Sequence, residues 1–305
     1  MPRYAVIDVG TNSVKFNISD RRPDGAWQTL VDRAEITRLG EGLDKTGDIS
    51  PDSMERTVSA IVGMVSEARE AGVTAMAAVG TMGLRTAHNS QQFIDMVEQR
   101  CGVRIEIIPG TEEGRLAYLA VKAGLGLAEG TLVIFDTGGG STQFTFGRGS
   151  NVDEQFSLNV GAVRFTEKFG LAGMVSQEHL KLTQDAIASE FTRIDGRLSP
   201  DALVGMGGAI TNIAAVKHQM AKYDPDVIQG SVIEQSEVER QIEMYRAKSL
   251  EERRAIVGLQ PKRADVILAG TCIVKIVMDK LGKDTLSVSD RGLRHGLLIA
   301  RFANG

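Results

Sequence analysis

Two short stretches of this chain carry the residue types that phosphate and cation chemistry needs. Asp8-Val9-Gly10-Thr11-Asn12-Ser13 follows the apolar run Tyr4–Ile7, and Asp136-Thr137-Gly138-Gly139-Gly140-Ser141 follows Leu132–Phe135. Each reads Asp-x-Gly-x-x-Ser, and the two lie close to half the chain length apart. A carboxylate at the end of a strand can hold a hard cation through oxygen. A glycine-rich turn lets backbone N–H groups come close to a phosphate. Either stretch alone is a weak signal. The pair predicts a cleft that grips phosphate from both sides.

The elements that must position these loops repeat in the same order. Strand patterns at Tyr4–Val9, Ser13–Ser19 and Trp27–Thr37 are followed by a helix capped by Ser50 with Pro51 at its first position. The apolar residues of that helix, Met54, Val58, Ile61, Val62 and Val65, keep helical spacing. A strand at Thr74–Val79, a helix near Gln91–Arg100, a strand at Val103–Ile108 and a helix opened by Thr111 complete the first half. The second half restarts with strands at Leu132–Asp136, Thr142–Phe146 and Val152–Leu158, then helices at Ala162–Phe169 and Gln177–Arg193. A strand at Ala202–Met206 and a helix from Thr211 follow. A charged helical insertion over 236–256 precedes a helix at Ala264–Leu281, a strand at Thr285–Val288 and a last helix from Gly292. The repeated order predicts a duplicated α/β domain, with residues 1–122 plus 291–305 as one copy and 123–290 as the other.

The bulk numbers bound the function. The chain has 305 residues, 42% apolar and 24% charged, with a net charge of −4. That balance does not attract polyanions as a whole, so a phosphate-rich substrate must be drawn in by local cations and backbone dipoles. Non-specific nucleic-acid binding is disfavoured. Cys101 and Cys272 have no CxxC partner and read as small buried hydrophobes of a reducing compartment. The apolar segment Val266–Met278 is broken by Lys275 and is too short to span a bilayer. A cytoplasmic protein with no membrane partner is expected, and a homodimer is left open.

Six motifs give the order a resemblance: DVGTNS from Asp8, GTMGLRTAHN from Gly80, PGTEEGRL from Pro109, DTGGGSTQF from Asp136, SLNVGAVRFTE from Ser157 and GMGGAITNIAA from Gly205. RADVILAGT from Arg263 and SDRGLRHGLL from Ser289 also fit. The chain resembles the exopolyphosphatase and guanosine pentaphosphate phosphatase family, in its short two-domain form. That family lies within the superfamily of actin-like ATPases, sugar kinases and heat-shock chaperones. The resemblance implies duplicated ribonuclease H-like (actin-like) domains, each with a mixed five-stranded sheet, and an interdomain cleft.

The resemblance also assigns roles. Glu113, the second Glu of EEGR, is expected to position or deprotonate the attacking water and to share the metal. Neighbouring residues on a helix point about 100° apart, so Glu112 and Glu113 cannot both face one site. Glu112 has a plain reading as an acid favoured at a helix N-terminus after a Thr111 cap. Asp8 and Asp136 are the expected magnesium carboxylates. Thr11, Asn12, Ser13, Gly138, Gly139, Gly140, Ser141 and Thr142 are expected to cradle phosphate, with Gly208 of the Gly207-Gly208 turn and Lys15 assisting. Arg85, in the loop after a strand, suits phosphate because its planar fork donates two hydrogen bonds. Arg164, Arg291 and Arg294 are weaker candidates, and His295 reads as structural. Met54, Met64, Met206 and Met278 fall at core spacing.

One position departs from the family pattern. Gln143 stands where the family has Glu directly after the second loop. An amide can hydrogen-bond water, but it cannot neutralise magnesium or accept a proton. The leading expectation is a magnesium-dependent exopolyphosphatase that releases terminal orthophosphate from inorganic polyphosphate. The same chemistry on guanosine pentaphosphate, a metabolite kinase and a low-turnover phosphate sensor are the competing readings.

Overall fold

The computed structural model describes residues 1–127 and 129–303. Ala128, Asn304 and Gly305 fall inside the expected domain spans and lie outside the described residues. The chain divides into two units, residues 1–120 with 291–305 and residues 121–290.

The first unit opens with β1 (Arg3–Val9), β2 (Ser13–Arg21) and β3 (Trp27–Ile36), an antiparallel meander. After the short α1 (Leu43–Thr46) comes α2 (Pro51–Glu70), where the Ser50 hydroxyl accepts from the Ser53 N–H at 3.2 Å. Met54, Val58, Ile61 and Val65 are all buried, as their spacing requires. Then follow β4 (Ala75–Gly80), α3 (Met82–Thr86), α4 (Ser90–Cys101), β5 (Ile105–Ile107) and α5 (Gly110–Leu125). The sheet order is β3-β2-β1-β4-β5, with β4 parallel to both its neighbours. Parallel pairing needs crossover helices, and α2 and α4 provide them.

The second unit repeats this plan. β6 (Thr131–Thr137), β7 (Thr142–Arg148) and β8 (Asn151–Leu158) form the antiparallel meander. α6 (Ala162–Phe169), α7 (Gln177–Glu190), β9 (Ala202–Met206), α8 (Gly208–Lys217) and α9 (Pro225–Ile228) follow. β10 (Val232–Glu234), α10 (Gln235–Arg246), α11 (Leu250–Arg254), α12 (Ile267–Lys280) and β11 (Thr285–Val288) complete it, before α13 (Leu293–Phe302) returns to the first unit. The sheet order is β10-β11-β9-β6-β7-β8. Read from the meander edge, both sheets run third, second, first, fourth and last strand, with matching strand directions. Even the register irregularity recurs on the second–third strand pair, at Ile18/Ser19 and at Phe146/Gly147.

The second sheet has six strands where five were expected. The segment after α9 turns back along the open edge of β11, where Gly230 N–H donates to Val288 O at 2.9 Å and Val288 N–H donates to Ser231 O at 2.8 Å. Ile233 is thereby buried and the β11 edge is covered. At the centre of the second unit, α12 is apolar on nearly every face and correspondingly buried. Its Lys275 reaches Asp279 at 2.7 Å. No described helix is long and apolar enough to cross a membrane. Both cysteines are free and buried, and burial pushes the Cys272 thiol up to about 12.

Candidate active site

The first loop joins β1 to β2. Gly10 N–H closes the turn on Ser13 O at 3.0 Å, and the register sets Asp8 opposite Lys15. Asp8 is 3% exposed, and the Lys15 ammonium donates to its Oδ2 at 3.3 Å. The loop carbonyls are tied from behind. Thr37 and Arg38 N–H donate to Asn12 O at 3.1 and 2.9 Å, and Gly40 N–H donates to Thr11 O at 2.8 Å. Thr11 sits between two glycines: a Cβ on Gly40 would stand 2.2 Å from Thr11 Cγ2, and one on Gly83 would stand 3.0 Å from Thr11 Oγ1. The side chain of Thr11 is therefore held in place by neighbours that lack one.

The second loop joins β6 to β7 with the same closure, Gly138 N–H to Ser141 O at 2.9 Å, and sets Asp136 opposite Gln143. Gly138, Gly139 and Gly140 are all exposed. None of the three has the left-handed φ that demands glycine, and a Cβ on Gly140 would meet nothing within 4 Å. The loop is anchored by the first turn of α6: Ala162 N–H donates to Gly138 O, and Val163 and Arg164 N–H donate to Gly139 O, at 3.0, 2.9 and 3.1 Å. Gly161 is required there, since its Cβ would fall 2.3 Å from Gly139 O. Thr142, expected to cradle phosphate, turns inward instead. It is fully buried, and its hydroxyl donates to Val160 O at 2.6 Å.

Gly207 and Gly208 form a third glycine turn at the start of α8, three residues earlier than the helix start expected at Thr211. Gly207 has φ 92°, and a Cβ there would lie 2.4 Å from Asp136 Oδ1. The Asp136 carboxylate is thus seated against bare backbone. The guanidinium of Arg263 lies over Gly208, 2.1 Å from where a Cβ would be. Its Nε donates to Gln260 Oε1 at 3.2 Å. Arg263 was not singled out from the sequence, although it opens the RADVILAGT motif.

Arg85 and Glu113 come together within the first unit. Arg85 lies on α3 rather than in a loop, because Leu84 and Arg85 N–H both close back on Thr81 O at 3.0 Å. Its Nη1 donates to Glu113 Oε2 at 3.0 Å and to Ile108 O at 2.8 Å. Glu113 lies in the first turn of α5, which begins at Gly110, one residue before the expected Thr111 cap. Pro109 O accepts from both Glu112 and Glu113 N–H at 3.0 Å and so starts the helix itself. Glu112 points elsewhere. Arg115 grips it through Nε and Nη2 at 2.7 and 2.8 Å, and that hydrogen bonding holds its carboxyl below the usual range. The two adjacent acids have separate arginine partners.

Among the described residues, no three or more His, Cys, Asp or Glu side chains gather into a metal-holding group. The donors fit magnesium in a different manner. That ion takes hard oxygen, commonly one or two carboxylates completed by substrate phosphate and water. The half-buried Asp136 carboxylate and the buried Asp8 carboxylate are donors of that kind. Arg294 and His295 lie apart from such chemistry. Both are engaged with Asp32, with Arg294 Nε–Oδ1 at 2.5 Å, Nη2–Oδ2 at 2.9 Å and His295 Nε2–Oδ2 at 3.2 Å.

Known proteins resemble the chain over nearly its whole length. The chain is 28% identical to a bifunctional 3-dehydroquinate synthase/phosphatase of Fusobacterium nucleatum, over 98% of this chain but only 46% of that protein. It is 27% identical to Exopolyphosphatase 2 of Mycobacterium tuberculosis, over 98% of both chains. The crystal structure of the type II variant of the Aquifex aeolicus Ppx/GppA phosphatase is 34% identical. It superposes with a TM-score of 0.92 over 99% of this chain and 100% of that one. The two units have the actin-like ATPase fold. Residues 18–304 match the Ppx/GppA phosphatase family, and the chain belongs to it.

Proposed function

We propose that the chain hydrolyses phosphoanhydride bonds, releasing terminal orthophosphate from inorganic polyphosphate, with Glu113 as the base that takes a proton from the attacking water. The observation that carries this is the Arg85–Glu113 contact at 3.0 Å. Nη1 of Arg85 is engaged by Glu113 and Ile108 O, whereas Nε and Nη2 donate to none of the described residues. One guanidinium can therefore hold the carboxylate and still present donors to a phosphate oxygen. A carboxylate held beside a phosphate-binding arginine is placed to orient water toward that phosphorus.

In the reaction, the water oxygen attacks the terminal phosphorus and the bridging P–O bond breaks. The shortened chain leaves with the bridging oxygen, and the water proton passes to Glu113. The exposed backbone of Gly138, Gly139 and Gly140, with Thr11, Asn12, Ser13 and Ser141, binds phosphate oxygens. Gly208 and Arg263 add donors at the start of α8. Asp8 and Asp136 would hold magnesium, which when bound offsets charge on the phosphoryl oxygens. Lys15 serves Asp8 before it serves phosphate, since its ammonium already lies on that carboxylate. Gln143 contributes a hydrogen bond and no charge.

The test is orthophosphate release, with magnesium, from long-chain polyphosphate, guanosine pentaphosphate and ATP. Glu113→Gln should lower turnover by about 10²–10⁴-fold, the usual range for general-base catalysis. Turnover unaffected by that substitution would remove Glu113 from the chemistry. Release confined to guanosine pentaphosphate would move the substrate assignment to that nucleotide. Tight binding of polyphosphate without any release would make the protein a sensor.

A further inference from the structure

We infer that α13 positions Glu113: Gly296 is the backbone stop against which α5 rests, and Asp32 anchors the helix that carries that stop. The inference rests on Glu113 being the base. Its geometry lies wholly within the first unit.

The stop is a contact between two backbones. A Cβ on Gly296 would stand 1.8 Å from Leu116 O and 2.5 Å from Leu116 C. Only glycine lets α13 cross α5 at this height. Leu116 lies one turn after Glu113 on α5, so the two residues share a face of that helix. Leucine contacts along the same crossing could adapt by changing rotamer. A backbone stop has no rotamers with which to yield.

The anchor sits on the neighbouring residues of α13. Arg294 grips both oxygens of Asp32 on β3, and His295 Nε2 lies 3.2 Å from Oδ2. Burial alone would raise the Asp32 carboxyl, but the hydrogen bonds from His295 and Arg294 outweigh it and hold it at about 2. Asp32 is thus charged throughout the working range and fixes α13 to the sheet edge. His295 Nδ1 is buried without a partner. With Nε2 directed at Asp32, that nitrogen is a bare lone pair, and the pull of burial on His295 is toward the neutral form.

The apolar layer beneath joins this clamp to the other half of the catalytic pair. Leu293 and Leu297 of α13 pack in one cluster with Leu116 and Ile108. Ile108 O is the carbonyl that holds Arg85 Nη1 at 2.8 Å. One helix therefore braces both the turn that carries Glu113 and the strand end that orients its arginine. Gly296 and Asp32 are positioning residues and touch no substrate.

The test compares Gly296→Ala and Asp32→Asn, alone and in the Glu113→Gln background. Gly296→Ala should lower kcat for polyphosphate by about 100-fold, the scale of a 1 Å misplacement, with KM changed by less than about 2-fold, as for an interaction made only in the transition state. Asp32→Asn introduces no clash and keeps the fold readable should Gly296→Ala fail to fold. It should lower kcat by about 10-fold, with the same KM behaviour. In Glu113→Gln protein each substitution should lower the residual rate by less than it lowers the wild-type rate, because only Arg85 is left to misplace. A second readout does not depend on turnover. The side-chain carboxylate NMR resonance of Glu113, identified by its loss in Glu113→Gln, should move in both variants while glutamates of the second unit stay in place. If the wild type released no phosphate, the proposed function would fall, and that resonance alone would decide the positioning. An unmoved resonance would overturn the inference, as would losses that recur in full on top of Glu113→Gln.

Discussion

The two aspartate–glycine loops share a backbone and differ in what occupies it. Each closes by a glycine N–H on the carbonyl three residues ahead, at 3.0 Å in the first and 2.9 Å in the second. Each sets its aspartate opposite one residue of the next strand. In the first loop a Cβ on Gly10 would stand 2.9 Å from Ser13 O, and from outside the loop Gly40 and Gly83 crowd Thr11 and hold its side chain. In the second loop three glycines run together inside it without a left-handed φ, and a Cβ would meet nothing at Gly140 while it would stand 3.0 Å from Val163 Cγ2 at Gly139. The first copy presents side chains held by their surroundings, and the second presents bare amides. Duplication kept the frame and changed what each copy exposes on it.

The sharpest way to break the comparison is at Gly207, which has no equivalent contact described at the first loop. Alanine there meets two costs together. Its φ of 92° lies where L-residues are strained, and the new Cβ falls 2.4 Å from Asp136 Oδ1. Strain of this kind costs about 1–3 kcal/mol. The clash then displaces the carboxylate proposed to hold magnesium. Gly207→Ala should lower phosphate release by about 100-fold or more, on the scale of a misplaced catalytic group, and should raise the magnesium concentration for half-maximal rate. Full activity at unchanged magnesium dependence would separate Asp136 from the metal.

A second comparison sets Gly140→Ala against Gly40→Ala. A Cβ on Gly140 meets nothing, so the substitution should leave stability unchanged or raise it by about 0.4–1 kcal/mol through the unfolded chain. Activity should nevertheless fall about 10-fold if phosphate approaches that backbone as closely as glycine permits. Gly40→Ala should behave in the opposite sense. Its Cβ would stand 2.2 Å from Thr11 Cγ2, and crowding of that kind costs about 1–3 kcal/mol of stability. Urea unfolding and phosphate release on the same two proteins decide the matter. Gly140→Ala with full activity would return that glycine to an ordinary turn.

Much of this frame was legible in the residues, because apolar alternation and helical spacing recur where the units repeat. The strands around both loops, the Ser50-Pro51 helix start and α6 were readable for that reason. The five-residue α3 was not, since a single turn shows no periodicity, and Arg85 therefore read as a loop residue. Thr111 followed by two acids imitates a cap, but Pro109 O starts the helix before it. β10 is three residues long, and its pairing depends on an open strand edge more than fifty positions away. Arg263 and Gly296 escaped notice for a related cause. Their partners, Gly208 and Leu116, are distant in sequence, and what each supplies is closeness of approach, which leaves no pattern in a single chain. The Lys15–Asp8 and Arg85–Glu113 contacts join residues that the motifs had already marked, whereas the clamp on α13 joins residues that no motif connected.

The smallest expected effect lies at the residue opposite each aspartate. Lys15 donates to Asp8 across the strand pair at 3.3 Å, whereas Gln143, opposite Asp136, brings no charge of its own. Gln143→Glu would put two carboxylates directly opposite each other. Without magnesium that pair should lower stability by about 0.2–1 kcal/mol, the cost of a like-charged cross-strand pair. With magnesium bound between them the repulsion becomes attraction, so the thermal midpoint should become magnesium-dependent in the variant and rise above its metal-free value. Turnover should rise modestly at limiting magnesium, because a second carboxylate increases occupancy of the ion. A midpoint indifferent to magnesium would show that the Asp136–Gln143 pair does not face the metal, and the charge difference between the two loops would then be a matter of stability alone.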